Sequence, residues 1–115
     1  MTDIQTATPE SHTMDGRALL AEHAPAMWRR FGGYNAAVLD GDTALPKKVK
    51  ELLAVAVALT TQCEGCLNGH SKAAVAAGAT PEELAETVHV AAALRAGGAI
   101  YHGLTYTMPH TVAAD

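Results

Sequence analysis

The chain has 115 residues and a mass of 11.9 kDa, which is enough for one small domain. Its hydrophobic content of 49% excludes a largely disordered chain. Its net charge of −4, with 8 scattered basic residues, offers no basic surface to nucleic acid. Aromatic residues make up only 4%, whereas 24 residues are alanine. Because Ala favours helices and disfavours strands, we predict a small all-α protein.

The N-terminal residues 1–11 are polar and acidic, without the basic and apolar regions of a signal peptide. The longest apolar run, Leu52–Leu59, is far shorter than the roughly 20 residues that span a bilayer. We therefore expect a cytoplasmic protein without a membrane partner. In that compartment, closely spaced cysteines are more often catalytic or metal-binding than structural.

The first half of the chain is predicted to be helical from about residue 15 to residue 39, after a stretch without hydrophobic periodicity. Breaks are expected at Pro25 and at Gly32–Gly33. The sequence thus predicts three parts, which are a flexible N-terminal arm at 1–13, one helical domain at 14–108 and a C-terminal tail at 109–115.

The strongest helix prediction begins at Pro46 and runs from Lys47 to Gln62 without a breaker. Within it, Leu52–Leu59 is apolar on every face, and such a helix must be covered on all sides. A chain of this size can hardly do so alone, so we expect an obligate oligomer. Further along, Thr80–Glu83 has the pattern of a capping box that starts another helix.

The two cysteines form a CxxC motif, Cys63 and Cys66, which is predicted to lie at a helix start. The partial positive charge of a helix N-terminus favours the reactive thiolate. His70 lies four residues after Cys66, and these positions share a helix face, so its imidazole can accept a thiol proton or stabilise a thiolate. Glu51 lies beside the apolar run, where a buried carboxylate needs a partner. A hydrogen bond to His70 would complete a proton relay.

Other interpretations of these residues stay open at this point. The cysteines could be small buried hydrophobic residues, or Cys63, Cys66 and His70 could bind zinc with Glu51 or water. Taken alone, Glu51 is typical of a helix-end carboxylate near Lys47 and Lys48. Zinc is less favoured because a second pair of ligands is missing, so we expect no bound metal.

The spacing E-x11-C-x2-C-x3-H from Glu51 to His70 closely resembles the alkylhydroperoxidase AhpD-like core of the carboxymuconolactone decarboxylase superfamily. The following segment, with Gly78 and the Thr80–Glu83 start of a helix, is similar to that family as well. The resemblance covers about residues 45–103. It implies an all-α AhpD-like helical bundle that assembles as a homotrimer or homohexamer and binds no separate cofactor.

The resemblance also implies a thiol peroxidase or disulfide reductase that acts on alkyl hydroperoxides in antioxidant defence. Cys66 would be the peroxidatic thiol, Cys63 would resolve its sulfenic acid as a redox-active disulfide, and His70 and Glu51 would relay protons. A lipoylated protein or a thioredoxin-like dithiol would be the reductant. Gly65 stands where some members have histidine. Branches that decarboxylate a lactone lack the dithiol, so the cysteines argue against that reaction.

Additional residues are candidates for a substrate pocket, namely His102, Tyr101 and Trp28. His102 and Tyr101 follow a pair of glycines that would let a helix pass close to the dithiol. The alternative function is a non-catalytic or other-substrate member of the superfamily, such as a redox-sensing, metal-binding or ligand-binding oligomer.

Overall fold

The computed structural model describes residues 9–112, with side chains from residue 16 onward. This part of the chain contains helices and no strand, which confirms the all-α prediction. It divides into two compact units, one up to Asp40 and one from Gly41. The five α-helices are α1 (Pro9–His23), α2 (Pro25–Leu39), α3 (Lys47–Thr61), α4 (Glu64–Ala76) and α5 (Pro81–His102).

The first unit consists of α1 and α2, which contact each other. The predicted break at Pro25 is confirmed, because α1 ends at His23 and Pro25 is the first residue of α2. The predicted break at Gly32–Gly33 is wrong, since α2 runs through both glycines to Leu39. A helix-interior glycine costs about 1 kcal/mol relative to Ala, which weakens a helix without ending it. Of the predicted arm, residues 1–8 lie outside the described residues, and α1 begins at Pro9.

Helix α3 is the centre of the second unit and packs against both α4 and α5. Pro46 is its N-cap rather than its first helical residue, and the Asp42 carboxylate accepts a hydrogen bond from the Lys47 backbone N–H at 2.7 Å. At its other end Gln62 adopts a left-handed conformation with φ 58°. The amide of Cys63 then donates to the Ala58 carbonyl at 3.1 Å. The chain therefore reaches α4 through only two residues.

The core of the second unit is built mainly from small side chains, which let helices approach closely. The buried hydrophobic residues are Val55, Ala58, Ala74, Ala79 and Ala91. The opposite face of α3 is not covered in the single chain, since Leu53 and Val57 are 51% and 60% exposed.

Helix α5 begins at the predicted capping box. The Thr80 hydroxyl accepts from the Glu83 amide at 3.1 Å, and the Glu83 carboxylate accepts from the Thr80 amide at 2.9 Å. Glu83 also binds the Lys48 ammonium at 2.9 Å, and the Arg95 guanidinium donates to the Thr60 carbonyl at 2.7 Å. These two contacts connect α5 to opposite ends of α3 and thereby fix the position of α3, the helix that carries Glu51.

The C-terminal end of α5 passes into a π-helical segment, Gly103–Thr107, and a 3₁₀ turn, Met108–Thr111. Helical structure therefore continues to the end of the predicted domain at residue 108 and into the first residues of the predicted tail, of which residues 113–115 lie outside the described residues. Across residues 9–112, every helix is too short or too polar to cross a membrane.

Candidate active site

The two cysteines form a disulfide at the start of α4, with their Cα atoms 5.2 Å apart. Cys63 is the N-cap of the helix, and its Sγ accepts a hydrogen bond from the backbone N–H of Cys66 at 3.3 Å. Cys63 is half-buried and Cys66 is exposed. The predicted CxxC pair at a helix start is therefore confirmed, and Cys66 is the more exposed of the two residues.

The first turn of α4 gives the sulfurs a favourable electrostatic environment when they are reduced. Unpaired amide N–H groups and the aligned peptide dipoles of a helix start stabilise a nearby anion. Glu64, the first residue of α4, is acidic and opposes this effect, but it is exposed, so water screens its charge. The helix start thus favours a thiolate at the dithiol.

A hydrogen bond between α3 and α4 joins the next two predicted site residues. Glu51 Oε1 lies 2.7 Å from His70 Nδ1, and the Glu51 side chain is only 2% exposed. An ionised carboxylate can only accept, so Nδ1 carries the proton in this contact. A neutral His70 then presents Nε2 as the nitrogen that can take up a proton.

The second oxygen of the same carboxylate is held by Lys47. Its Nζ lies 2.6 Å from Glu51 Oε2, and Lys47 precedes Glu51 by one turn of α3. Burial raises the pKa of Glu51, but the hydrogen bonds and charges of Lys47 and His70 together outweigh it and hold that pKa below its ordinary value. Glu51 is therefore ionised at neutral pH despite its burial.

The spacing of Lys47 and Glu51 was visible in the sequence, since residues four apart lie on one helix face. It did not distinguish Lys47 from Lys48 as the partner of Glu51. The structure resolves this, because Lys48 reaches Glu83 of α5 instead.

Cys66 and His70 lie one turn apart on α4, as the sequence predicts. In the oxidised state Cys66 has no thiol proton to share. Within the described part of the chain, the hydrogen bond of the His70 side chain goes to Glu51. The dithiol and His70 therefore lie on adjoining turns of α4, and Glu51 contacts His70 from α3.

Among the described residues of the second unit, α5, which carries Tyr101 and His102, makes no helix–helix contact with α4. His102 ends α5, and its ring lies 6.1 Å from Tyr101 and 5.8 Å from Tyr106. Trp28 belongs to α2 in the other unit, where its ring lies 6.2 Å from Phe31. A pocket role for these residues stays a prediction.

The zinc interpretation finds no prearranged site in residues 16–112, where no cluster of three or more His, Cys, Asp or Glu side chains could hold a metal ion. Both sulfurs are joined to each other, and both oxygens of Glu51 already accept hydrogen bonds. The chemistry that the arrangement supports best is therefore thiol–disulfide exchange with proton transfer through His70.

Comparison with known sequences identifies related bacterial proteins. An uncharacterized protein of the cox locus of Paracoccus denitrificans is 51% identical over 65 residues, which are 56% of this chain and 59% of that protein. An uncharacterized protein of Cupriavidus necator is 37% identical over 102 residues, 87% of each chain. A protein of Haemophilus influenzae is 38% identical over 64 residues, 56% of each chain. The chain thus spans little more than half the length of two of these relatives.

A solved structure and a family profile agree with this relationship. The apo crystal structure of a carboxymuconolactone decarboxylase family protein from Legionella pneumophila is 36% identical, with a TM-score of 0.65 over 72% of this chain and 73% of that one. Residues 23–107 match the profile of the carboxymuconolactone decarboxylase family. The chain therefore belongs to that family.

Proposed function

We propose that this member of the carboxymuconolactone decarboxylase family is a CxxC-dependent thiol peroxidase and disulfide reductase. One observation carries the proposal: a dithiol at a helix start lies one turn from a histidine that a buried, ionised carboxylate orients. A low-pKa thiol next to a positioned base is the arrangement that activates cysteine as a nucleophile. The relatives named above support the family and leave the reaction to be tested.

The proposed reaction begins with the reduced dithiol and an alkyl hydroperoxide. His70 Nε2 accepts the thiol proton of Cys66, and the thiolate attacks the terminal peroxide oxygen. The S–O bond forms while the O–O bond breaks, and the leaving alkoxide takes up a proton from the histidine to become an alcohol. Cys66 is oxidised to a sulfenic acid and the peroxide is reduced.

Cys63 then attacks the sulfur of the Cys66 sulfenic acid. The S–S bond forms, the S–O bond breaks, and the hydroxyl leaves as water with the proton of the Cys63 thiol. The product is the disulfide seen in the structure. An external dithiol, which we assign to the lipoylated or thioredoxin-like class, returns two electrons by thiol–disulfide exchange.

We also propose that the protein acts in the cytoplasm as a homo-oligomer, a trimer or hexamer. The argument for assembly is the apolar surface left on the second unit. Leu53 of α3 and Val90 of α5 line one groove and are 51% and 58% exposed in the single chain, and apolar surface of this kind is typical of interfaces. Analytical ultracentrifugation that gave the mass of one chain at micromolar concentration would contradict the assembly.

The decisive test of the activity is consumption of a hydroperoxide by the reduced protein with lipoamide, thioredoxin or a small dithiol as reductant. The wild type should turn over, whereas Cys66→Ser should not. Reduced Cys63→Ser, freed of added dithiol, should react with one equivalent of hydroperoxide and hold a sulfenic acid on Cys66, detected by dimedone labelling and mass spectrometry. Full activity of Cys66→Ser would show the assigned roles to be wrong. Stoichiometric zinc in the purified protein, with no turnover by any dithiol, would favour a binding or sensing role instead.

A further inference from the structure

Lys47 is the unassigned charged group in direct contact with the Glu51–His70 pair. We propose that it is a positioning residue of the thiol site, which holds the Glu51 carboxylate in its ionised form and in the orientation that His70 requires. The proposal rests on the proposed function only for its consequence at the cysteines. The contact itself does not depend on that function: Lys47 Nζ lies 2.6 Å from Glu51 Oε2.

The geometry divides the two oxygens of the carboxylate between two elements. Oε2 accepts from Lys47 within α3, and Oε1 lies 2.7 Å from His70 Nδ1 on α4. With both oxygens engaged on opposite partners, rotation of the carboxylate about its last bond would break both contacts. Lys47 thereby fixes the direction of the hydrogen bond that selects the His70 tautomer.

The charge balance gives a second reason. Glu51 is 2% exposed, and an isolated carboxylate at that depth would be strongly disfavoured. Lys47 supplies the opposite charge, and its side chain remains 34% exposed, so this cation is less buried than the carboxylate. The resulting pair carries no net charge, so the carboxylate can orient His70 without an unbalanced charge in the core.

The other charged groups near this point are engaged elsewhere or make no contact with the carboxylate. On α3, Lys48 binds Glu83 of α5 at 2.9 Å. Lys50 is largely buried, but within residues 16–112 it makes no ion pair with Glu51. From α5, Arg95 donates to the Thr60 carbonyl. His70 is therefore the group of α4 and Lys47 the group of α3 that determine the ionisation of Glu51.

The chain provides a matched control for this inference. Lys47→Met and Lys48→Met remove the same charge from adjacent positions of α3, but only the first removes a partner of Glu51. Lys47→Arg restores a cation, and Lys47→Gln keeps a donor without the charge, which provides a second variant should Lys47→Met not fold.

The first experiment follows the Glu51 side-chain carboxyl by ¹³C NMR during a pH titration of the oxidised protein, with Glu51→Gln to assign its signal. We expect the midpoint to move upward in Lys47→Met and Lys47→Gln, to stay near wild type in Lys47→Arg, and to be unchanged in Lys48→Met. Equal midpoints in Lys47→Met and Lys48→Met would overturn the proposal. This measurement needs no substrate, so it stands apart from the peroxidase assay.

The second experiment measures the alkylation rate of Cys66 with iodoacetamide against pH in the reduced protein, in a Cys63→Ser background. In Lys47→Met, the low-pH part of the curve of alkylation rate against pH should shift in the same direction as the titration midpoint of Glu51. In Lys47→Arg the curve should match that of the wild type. If the alkylation rate had the same pH dependence in Lys47→Met as in Lys48→Met, a role of Lys47 at the thiol would be contradicted. If the wild type did not consume hydroperoxides but its alkylation rate still depended on Lys47, the peroxidase proposal would be refuted. The positioning role of Lys47 would then still hold.

Discussion

Replacement of Glu51 by Gln isolates the contribution of one buried negative charge at nearly constant volume. The carboxylate accepts two hydrogen bonds, at 2.6 Å from Lys47 and 2.7 Å from His70, and is 2% exposed. Hydrogen bonds to charged groups contribute about 1.5–3 kcal/mol each, roughly twice the value of neutral ones. An amide keeps the shape, but its nitrogen cannot accept a hydrogen bond, so one of the two bonds loses its acceptor and the other loses its charge assistance. We therefore expect a loss of about 1–3 kcal/mol in the free energy of unfolding at pH 7.

The same substitution should slow the thiol chemistry more than it unfolds the protein. Positioned acid–base catalysis contributes about 10²–10⁴-fold, and His70 itself remains in the variant, so we expect a decrease near the lower end, about 10²-fold. Stopped-flow measurement of Cys66 oxidation by a hydroperoxide, with urea denaturation in parallel, separates the two effects. A Glu51→Gln protein that reacts at the wild-type rate would refute the relay, whatever its stability.

The pH dependence of stability provides a further check on the same carboxylate. Because folding lowers the pKa of Glu51, the stability it contributes is fully present above the ordinary carboxyl pKa of the unfolded chain. That contribution is lost as the pH falls through the lower, folded pKa. The difference in unfolding free energy between wild type and Glu51→Gln should therefore be largest near neutral pH and shrink in acid. A difference that grew on acidification would contradict the ion-pair assignment.

Four further substitutions test helix propensity, turn conformation, core packing and helix capping, each by urea denaturation. Gly78 has φ 100°, so Gly78→Ala should destabilise the protein by about 1–2 kcal/mol. Gly33 lies in a helix with open space around it, so Gly33→Ala should stabilise α2 by up to about 1 kcal/mol. If both substitutions changed the free energy of unfolding in the same direction, this reasoning would be contradicted. Ala74 is fully buried, so Ala74→Leu should lower the free energy of unfolding by about 1–3 kcal/mol through overpacking. An unchanged free energy of unfolding would show that the core around Ala74 has room for the larger side chain. Thr80→Ala removes the hydroxyl of the capping box and should cost about 1 kcal/mol; an unchanged midpoint would show that the cap is dispensable.

The sequence predicted the parts of this protein that depend on local chemistry. Proline and the Thr80–Glu83 pattern located helix boundaries because each acts on its own backbone groups. The pairing of Glu51 with His70 could be inferred because an anion in apolar surroundings requires a partner. Both inferences needed only neighbours in sequence or the general cost of burying charge.

Other features depend on tertiary packing and could not be read from the pattern. Gly32 and Gly33 lower helix propensity, yet the surrounding residues of α2 carry the helix past them. The choice of Lys47 over Lys48 depends on where Glu83 of α5 lies, which is a contact across 35 residues. The ring contacts of Trp28, Tyr101 and His102 are with residues one to four positions away, and such local contacts do not predict whether a side chain lines a pocket.

The position of Cys63 links the chemistry of the dithiol to the folding of its own helix. The sulfur that caps α4, through the bond from the Cys66 amide, is also one of the two atoms that change between dithiol and disulfide. A thiolate is a stronger acceptor than a disulfide sulfur, so the capping bond strengthens whenever Cys63 is reduced and ionised. Each change of redox state thus alters how firmly the first turn of α4 is closed. Amide hydrogen exchange at Cys66 becomes a direct record of the redox state, readable without any substrate.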